Sequence, residues 1–450
     1  MAMSGVGVST SARPPDDPAA GTQPADLTTG PLTLGQLAAW RDASRLPRER
    51  WHEANVFHTF ELSEPVSRNQ LSVALARLDA KHESLRTIFE LDDPPRQRLL
   101  PARPAADVEV AFAGSAGLAQ HCARFTGRPF DLTRDRPIRV LAIAEGDADE
   151  DRDRPNLIKI MLCAHHIACD GWSIGLLMTD LAALLGAGSP ELPPTPSSLV
   201  QVAWEQRTAP AWQRKLKASQ QHFRTIYQTP TSDFRHRDAT AEVLQVTIES
   251  RRLAAAANRL ASAHKVSPAT VFTTAFLDAV AGFCQPGPLR IGLMSSNRFL
   301  DRWRYQVSSM NQIIPIIADP DPAHRLGERL ARIQVAAMRA YRLGIFDVDQ
   351  ISPAALGLPD CAASSVCIIN IARGAPAEYL DAESDELPVR LHWEQPVKLG
   401  AAGCNLRVFI TAADSVRLRL RTSDLSRATA AAIVTTTYRR VIDSAAGESG

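Results

Sequence analysis

The sequence predicts an α/β protein built as two halves, each mixing β-strands with α-helices. Three features of the chain lead there. Its 450 residues exceed what one ordinary core organises and suit two units of roughly 200 residues each. Runs with strand-like alternation and runs with apolar residues at every third or fourth position recur on both sides of the chain's middle. Between them, residues 186–198 carry four prolines among small residues, the composition of a linker. The expected organisation is a leader over residues 1–30, an N-terminal half over 31–188 and a C-terminal half over 189–450.

The first 30 residues are rich in Gly, Ser, Thr, Pro and Ala and lack the continuous apolar run of a signal peptide, so they read as a disordered leader. From Asn55 to Leu62 apolar and polar residues alternate, which predicts a strand. Ser63-Glu64-Pro65 then supplies a turn, and Ser67 caps a helix that places Leu71, Ala74, Leu75 and Leu78 on one face. Pro137 to Ile143 and Leu157 to Cys163 are β-rich runs joined by a charged loop from Glu145 to Arg154, the pattern of a long-looped hairpin. The second run leads directly into His165-His166. Beyond Gly171, Ser173 is the expected cap of a helix with Leu176, Leu177, Leu181, Leu184 and Leu185 at helical spacing, ended by Gly186 and Gly188. The stretch from His165 to Gly171 therefore falls on a strand-to-helix turn.

In the second half, Val243 to Ile248 predicts a strand and Leu253 to Ala263 a helix, and Ser267-Pro268 has the N-cap and first-turn signature of a helix reaching Ala281. Leu289 to Met294 and Ile313 to Ile317 read as strands. His324 to Tyr341 is helical, with Leu326, Leu330, Ile333 and Ala337 in register. Val366 to Ile371, Leu406 to Ala412 and Val416 to Leu420 are strand candidates, and Ser426 to Ile442 is a final helix.

Fifty basic and 49 acidic side chains give a net charge of +1 with no long block of either sign, which argues against nucleic-acid and membrane surfaces as partners. No stretch approaches the roughly 18 apolar residues of a membrane span, so a soluble, cytoplasmic protein is expected. The seven cysteines, Cys122, Cys163, Cys169, Cys284, Cys361, Cys367 and Cys404, are odd in number and lack a framework spacing, as reduced thiols do.

His165 and His166, with Cys163, Cys169 and Asp170 nearby, supply the donor types of a zinc site. Neighbouring residues on a strand point to opposite faces, however, so the two imidazoles do not converge on one ion and no metal is expected. Taken alone, the pair reads most simply as core histidines that satisfy hydrogen bonds.

The pair does not stand alone. Ala164-His165-His166-Ile167-Ala168-Cys169-Asp170-Gly171-Trp172-Ser173 closely resembles the core motif of condensation domains from nonribosomal peptide synthetases, in the acyltransferase superfamily that includes chloramphenicol acetyltransferase. Thr33-Leu34-Gly35-Gln36 resembles the family's first motif and Lys81-His82-Glu83-Ser84-Leu85-Arg86-Thr87-Ile88-Phe89 its second. Phe130-Asp131-Leu132 with Pro137-Ile138-Arg139 is similar to the stretch before the central motif. Ser296-Asn297-Arg298, followed by Ser309-Met310-Asn311-Gln312-Ile313-Ile314-Pro315-Ile316, resembles the region where an arginine precedes an asparagine-containing strand. The resemblance runs from about Leu32 to Ile442. It departs from the family at Ser197 to Trp204, which keeps only the Ala-Trp ending of a motif, at Gly344 to Gln350, and around Ala363 to Arg373.

The resemblance implies a pseudo-dimer of two chloramphenicol acetyltransferase-like mixed sheet-helix halves with a central tunnel. It implies a free-standing condensation enzyme of natural-product biosynthesis, of the nonribosomal-peptide and antibiotic type. His166 would meet the attacking N–H or O–H as a general base, a role that imidazole fills near neutral pH. His165, Asp170 and Gly171 would support the site, Asp170 by pairing with an arginine, for which Arg298 is the first candidate and Arg86 the second. Gly171 would allow close backbone approach or an unusual dihedral. Trp172, Ser309 and Asn311 are candidates for substrate contact, with packing the simpler role for Trp172 and a bond to its own backbone an equal alternative for Asn311. No cofactor is expected to be bound. The donor would be a phosphopantetheine-tethered acyl group on an acyl or peptidyl carrier protein acting in trans, and the acceptor a small or second carrier-bound amine or hydroxyl. Two alternatives are a CoA-dependent acyltransferase of small molecules and a silent partner-binding module. The intact His166, Asp170 and Gly171 argue against silence.

Overall fold

The computed structural model describes residues 28–146, 155–186, 192, 197–237, 243–320, 323–359, 367–375, 391–393, 403–411 and 414–447. Residues 1–27 of the expected leader and most of the expected linker lie outside the described residues, while Thr29 and Gly30, expected to belong to a disordered leader, pair as strand with Arg98 and Gln97.

Strand β1 (Thr29–Pro31) leads into helix α1 (Leu34–Ser44), and β2 (Asn55–Val66) into α2 (Arg68–Lys81). Both helices begin with a reciprocal capping box, Thr33 with Gln36 and Ser67 with Gln70, which satisfies two otherwise orphaned N–H groups at each start. Next come β3 (Thr87–Glu90), β4 (Arg96–Leu99), β5 (Glu109–Phe112), α3 (Leu118–Gly127), β6 (Ile138–Ala144), β7 (Leu157–His165) and α4 (Gly171–Leu185). They build a four-stranded sheet in the order β2-β7-β6-β5 and a small sheet in the order β1-β4-β3. The turn expected at Ser63-Glu64-Pro65 is absent. Strand β2 runs on to Val66 and absorbs the proline in a shift of pairing register between Glu61 and Val66, since a proline without an N–H is tolerated where the ladder is irregular.

The rest of the chain adds α5 (Leu199–Thr208), α6 (Pro210–Gln228), β8 (Leu244–Ser250), α7 (Arg251–His264), α8 (Pro268–Ala281), β9 (Leu289–Ser295), β10 (Gln312–Ala318) and α9 (Leu326–Arg342). It ends with β11 (Cys367–Ala375), β12 (His392–Trp393), β13 (Cys404–Thr411), β14 (Val416–Thr422) and α10 (Arg427–Gly447). These strands form one sheet in the order β10-β9-β11-β13-β14-β8-β12, in which β11 runs parallel to both neighbours.

Each half closes its own core. Alternate residues of the seven-stranded sheet, such as Val246, Ile291, Leu406 and Leu418, are buried against Leu260, Phe276 and Tyr438 of α7, α8 and α10. In the four-stranded sheet Ile160 and Leu162 pack with Leu75, Leu78, Leu177 and Leu181 of α2 and α4. The opposite face of β7 packs Met161 and Cys163 with Trp40, Phe130 and Ile167. A fourth cluster joins Leu34 of α1 to Val202, Trp212, Trp303 and Met310, and so ties early and late parts of the chain together.

Candidate functional site

Strand β7 lies between β2 and β6, so its C-terminal end is held on both sides, with His165 opposite Asn55. The next residue, His166, leaves the ladder but donates its backbone N–H to the Ala54 carbonyl at 2.8 Å. The turn then closes through Ala168 N–H to the His165 carbonyl at 3.0 Å and Cys169 N–H to that of His166 at 3.4 Å. The Ser84 hydroxyl donates to the Ala168 carbonyl, so the stretch from Lys81 to Phe89 braces this turn. Helix α4 starts at Gly171 and its cap is Asp170, not Ser173: the carboxylate oxygen Oδ1 accepts the Ser173 N–H at 2.9 Å. A carboxylate at this position satisfies a first-turn donor and interacts favourably with the helix dipole.

The two histidines have different surroundings. His165 is 1% exposed, sits edge-on to Phe130, and its Nδ1 accepts the Ile167 N–H at 3.1 Å. Its proton is therefore on Nε2, and burial followed by the neighbouring His166 pushes its pKa down to about 3. His166 is partly open to solvent, and its Nδ1 lies 3.4 Å from the Ser309 hydroxyl. Burial pushes the thiols of Cys163 and Cys169 up, so both flanking cysteines stay protonated. Among the described residues, no group of three or more His, Cys, Asp or Glu could hold a metal ion.

Asp170 is fully engaged. Arg298 donates Nη1 to Oδ2 at 2.8 Å and Nη2 to Oδ1 at 2.9 Å, a two-point contact in which both side chains are almost wholly buried. Backbone N–H groups of Met310 and Asn311 reach Oδ2 at 3.1 and 3.3 Å. Burial alone would push this carboxyl's pKa up, but the charge and hydrogen bonds of Arg298, with the Ser173 and Met310 N–H groups, outweigh it and hold the pKa below the ordinary value. The second-choice partner, Arg86, instead donates to the carbonyls of Asp79 and Leu100.

The remaining candidates surround this pair. Asn311 gives its side-chain N–H to the Met294 sulfur at 3.2 Å, and its Oδ1 is buried without a partner among the described residues. Trp172 is 48% exposed, with its indole N–H on the Arg304 carbonyl at 3.0 Å and its ring 5.8 Å from the Arg298 guanidinium carbon. The packing role expected first for Trp172 is therefore corrected to a tethered but half-exposed indole. Gly171 also departs from expectation, since its φ is not left-handed and a Cβ there would meet nothing within 4 Å.

The close approach belongs to Gly35. A Cβ on it would stand 2.3 Å from the Ser309 carbonyl oxygen and 2.7 Å from the Met310 Cα, so α1 presses directly on the segment that serves Asp170 and His166. Ser173, expected only as a helix cap, also belongs to the site: its hydroxyl lies 2.9 Å from both Asp170 Oδ1 and the Ser308 carbonyl and receives the Ser308 N–H at 3.0 Å. Asn297 holds a left-handed φ of 56° while its amide donates to the Met310 and Gly344 carbonyls at 2.9 and 2.8 Å. All three lie inside stretches that carry the family resemblance, which is the one signal that could have found them.

Comparison with known proteins agrees with this architecture. The family model described as "Condensation domain" matches residues 48–353. Phosphinothricin tripeptide synthetase PhsC of Streptomyces viridochromogenes is 33% identical over 208 residues, covering 44% of this chain and 18% of that protein. Isonitrile lipopeptide synthase of Mycobacterium tuberculosis is 32% identical over 196 residues, covering 41% of this chain and 7% of the synthase. The chain thus spans less than a fifth of the length of these relatives. Among solved structures, one concerning condensation domain-mediated chain release from the enacyloxin polyketide synthase superposes with a TM-score of 0.75 at 18% identity, over 93% of this chain and 83% of the other. The condensation domain of the Monacolin K polyketide synthase MokA gives 0.74 at 15% identity, over 95% and 98%. These likenesses establish the fold as the pseudo-dimer of two acetyltransferase-like halves. With more than half of its residues matched by the family model and this fold behind them, the chain belongs to the condensation-domain family.

Proposed function

We propose that this protein transfers an acyl group from a carrier-protein thioester to an amine or hydroxyl, forming an amide or an ester, with His166 as the general base. The observation that carries the proposal is the contrast between the two histidines. His165 is buried and committed to the turn, while His166 is anchored by its backbone and is partly open to solvent. With a proton on Nδ1 directed at Ser309, Nε2 presents its lone pair to an incoming N–H or O–H. The acceptor attacks the thioester carbonyl and its proton passes to Nε2. The tetrahedral intermediate then expels the thiolate, which receives that proton from Nε2 and leaves as the thiol, so the imidazole is neutral again. Asp170 has no free lone pair to share in this cycle, because every acceptor direction is used by Arg298, Ser173, Met310 or Asn311. Its role is to fix the turn that aims His166, and Arg298 fixes Asp170.

The donor in this proposal is a phosphopantetheine-tethered acyl group on an acyl or peptidyl carrier protein supplied in trans, and the natural setting is nonribosomal-peptide-type biosynthesis. Family membership supports both. Binding energy from the carrier, remote from the reacting carbonyl, can be used to orient the thioester beside His166. The test compares one acyl group on a separate carrier protein and on CoA, against one acceptor, with product detected by mass spectrometry. Catalytic efficiency should be much higher with the carrier and should fall as salt is raised. His166→Ala should lower turnover by about 10²- to 10⁴-fold without lowering the melting temperature. Equal efficiency for both donors promotes a CoA-dependent enzyme, and turnover unaffected by His166→Ala removes the general base.

A further inference from the structure

One surface of the seven-stranded sheet is not used by its core. Along β13, Cys404, Leu406 and Val408 are buried in the helix-packed core, so Asn405, Arg407 and Phe409 face the other way. That second face begins at the candidate site. Asn311, which donates its backbone N–H to Asp170, bonds Met294 through its side chain, and Met294 pairs with Ile313. The pairing of Ile369 with Leu293 places Asn370 level with Met294. From there one row crosses the sheet, Asn370 opposite Arg407, Arg407 opposite Arg419, and Arg419 opposite Thr247. Arg407 is two strand spacings from Met294, about 10 Å.

The basic residues of this face are not equivalent. Arg417 is neutralised by Glu249, its Nε 3.2 Å from Oε2. Arg419 directs its Nε at the Thr247 hydroxyl at 3.4 Å. Arg407 has no such partner among the described residues. Its Nε is buried without a hydrogen bond. Among the described residues, the charges that act on it are those of Arg421 and Arg419, both positive, and with burial as the larger cause they push its pKa down to about 10. A buried guanidinium without a counter-charge is costly to a fold. One placed on a substrate-facing surface gains its partner when an anion binds.

We propose that Arg407 anchors a carboxylate-binding subsite on this face, taking a carboxylate carried by the acyl donor or by the acceptor, with Asn370 as its neighbour in the row. The planar fork of the guanidinium matches a carboxylate at two points, and the two flanking arginines add field of the same sign. The subsite would select for an acidic substrate and set its reacting end toward His166. This inference rests on the acyl-transfer reading above.

Two experiments separate the ideas. In the first, scanning fluorimetry follows the whole chain with adipate, adipamide or inorganic phosphate. Adipate should raise the melting temperature and adipamide should not, and Arg407→Met should abolish the shift. Stabilisation by phosphate alone overturns the carboxylate and points to the phosphate of a donor arm. Arg407→Met without ligand should melt no lower than the wild type, because it removes a charge that has no counter-charge among the described residues. Arg407→Lys keeps the charge but loses the fork and should bind adipate at least tenfold more weakly. If both variants melt well below the wild type, Arg407 belongs to the framework and the subsite falls.

The second experiment measures turnover with matched donors and acceptors, each as a carboxylate or as its amide. A tenfold or greater loss of efficiency in Arg407→Met, confined to the carboxylate form of one partner, supports the subsite and identifies which substrate carries the group. Equal turnover of all forms by variant and wild type overturns the subsite and leaves acyl transfer intact. Failure of every combination to show His166-dependent turnover sinks acyl transfer instead, and the fluorimetry still decides the subsite because it needs no chemistry.

Discussion

Arg298 grips both carboxylate oxygens of Asp170, at 2.8 and 2.9 Å, from a position 128 residues further along the chain. The same carboxylate caps α4 and receives two N–H groups from the segment entering β10. One buried ion pair therefore joins the histidine turn, a helix start and a strand of the second sheet.

Breaking such a pair from one side strands a buried charge, which costs about 3–5 kcal/mol. Asp170→Ala and Arg298→Ala should each lose that much stability in urea denaturation. The double variant should lose clearly less than the sum, because the second truncation removes the stranded partner. Additive losses would show that the two side chains are stabilised independently of each other.

Gly35 offers a test at a distance from any reacting group. A methyl there meets backbone atoms of Ser309 and Met310 at 2.3 and 2.7 Å, and backbone does not swing aside as a flexible side chain would. Gly35→Ala should therefore displace α1 or the Ser309–Met310 segment, with a loss of about 1–3 kcal/mol for overpacking. Turnover should fall as well, because the displaced segment carries Ser309, whose hydroxyl lies 3.4 Å from His166 Nδ1. A variant that melts and turns over like the wild type would mean that α1 stands further from this segment.

Much of the fold was legible in the chain because most elements carry strong local signals. Ser67 and Gln70 form the capping box that starts α2, Ser267-Pro268 starts α8, and the apolar periodicity of β7 and β14 is clean. Local signals failed where geometry is set by distant partners. Ser173 looked like a cap, yet Asp170 takes that position because Arg298 and the β10 entry hold its carboxylate in place. The turn expected at Ser63–Pro65 gave way to strand because β7 supplies a partner beyond the irregularity, Leu157 opposite Val66. Helices α5 and α6 were not anticipated, since their buried Val202, Trp212 and Leu216 face a cluster assembled from Leu34 and Trp303 far away in sequence. Within the site, no spacing rule links Asp170 to Arg298, and only the family resemblance pointed there. Gly35 shows the same limit, because its neighbour is a backbone segment more than 270 residues away.

Ser309 is the side chain that stands behind His166. At 3.4 Å its hydroxyl is a weak partner for Nδ1, so it biases the imidazole tautomer more than it holds the ring. Ser309→Ala should lower kcat by less than about tenfold, well short of the effect expected for loss of the base itself. KM for the donor should be unchanged if Ser309 acts on His166 alone. A rise in KM with kcat intact would move Ser309 to substrate binding.

The last prediction uses the buried member of the histidine pair. His165 keeps its proton on Nε2 and accepts the Ile167 N–H on Nδ1, and its pKa falls from 6.5 in the unfolded chain to about 3 in the fold. Between those values the unfolded chain binds a proton that the folded protein excludes. The sign is therefore fixed: stability is fully present above pH 6.5 and is lost as pH falls below it. The slope is about 1.4 kcal/mol per pH unit from this one group, or about 2 kcal/mol by pH 5. Other groups add their own dependence, so the test is a difference. His165→Asn can offer its Oδ1 to the same Ile167 N–H and has nothing to protonate. Urea denaturation of both proteins at pH 7.5 and 5 should show the wild type losing about 2 kcal/mol more than the variant over that interval. Parallel losses would mean that His165 takes up its proton without unfolding, and the division between a committed His165 and an available His166 would fail with it.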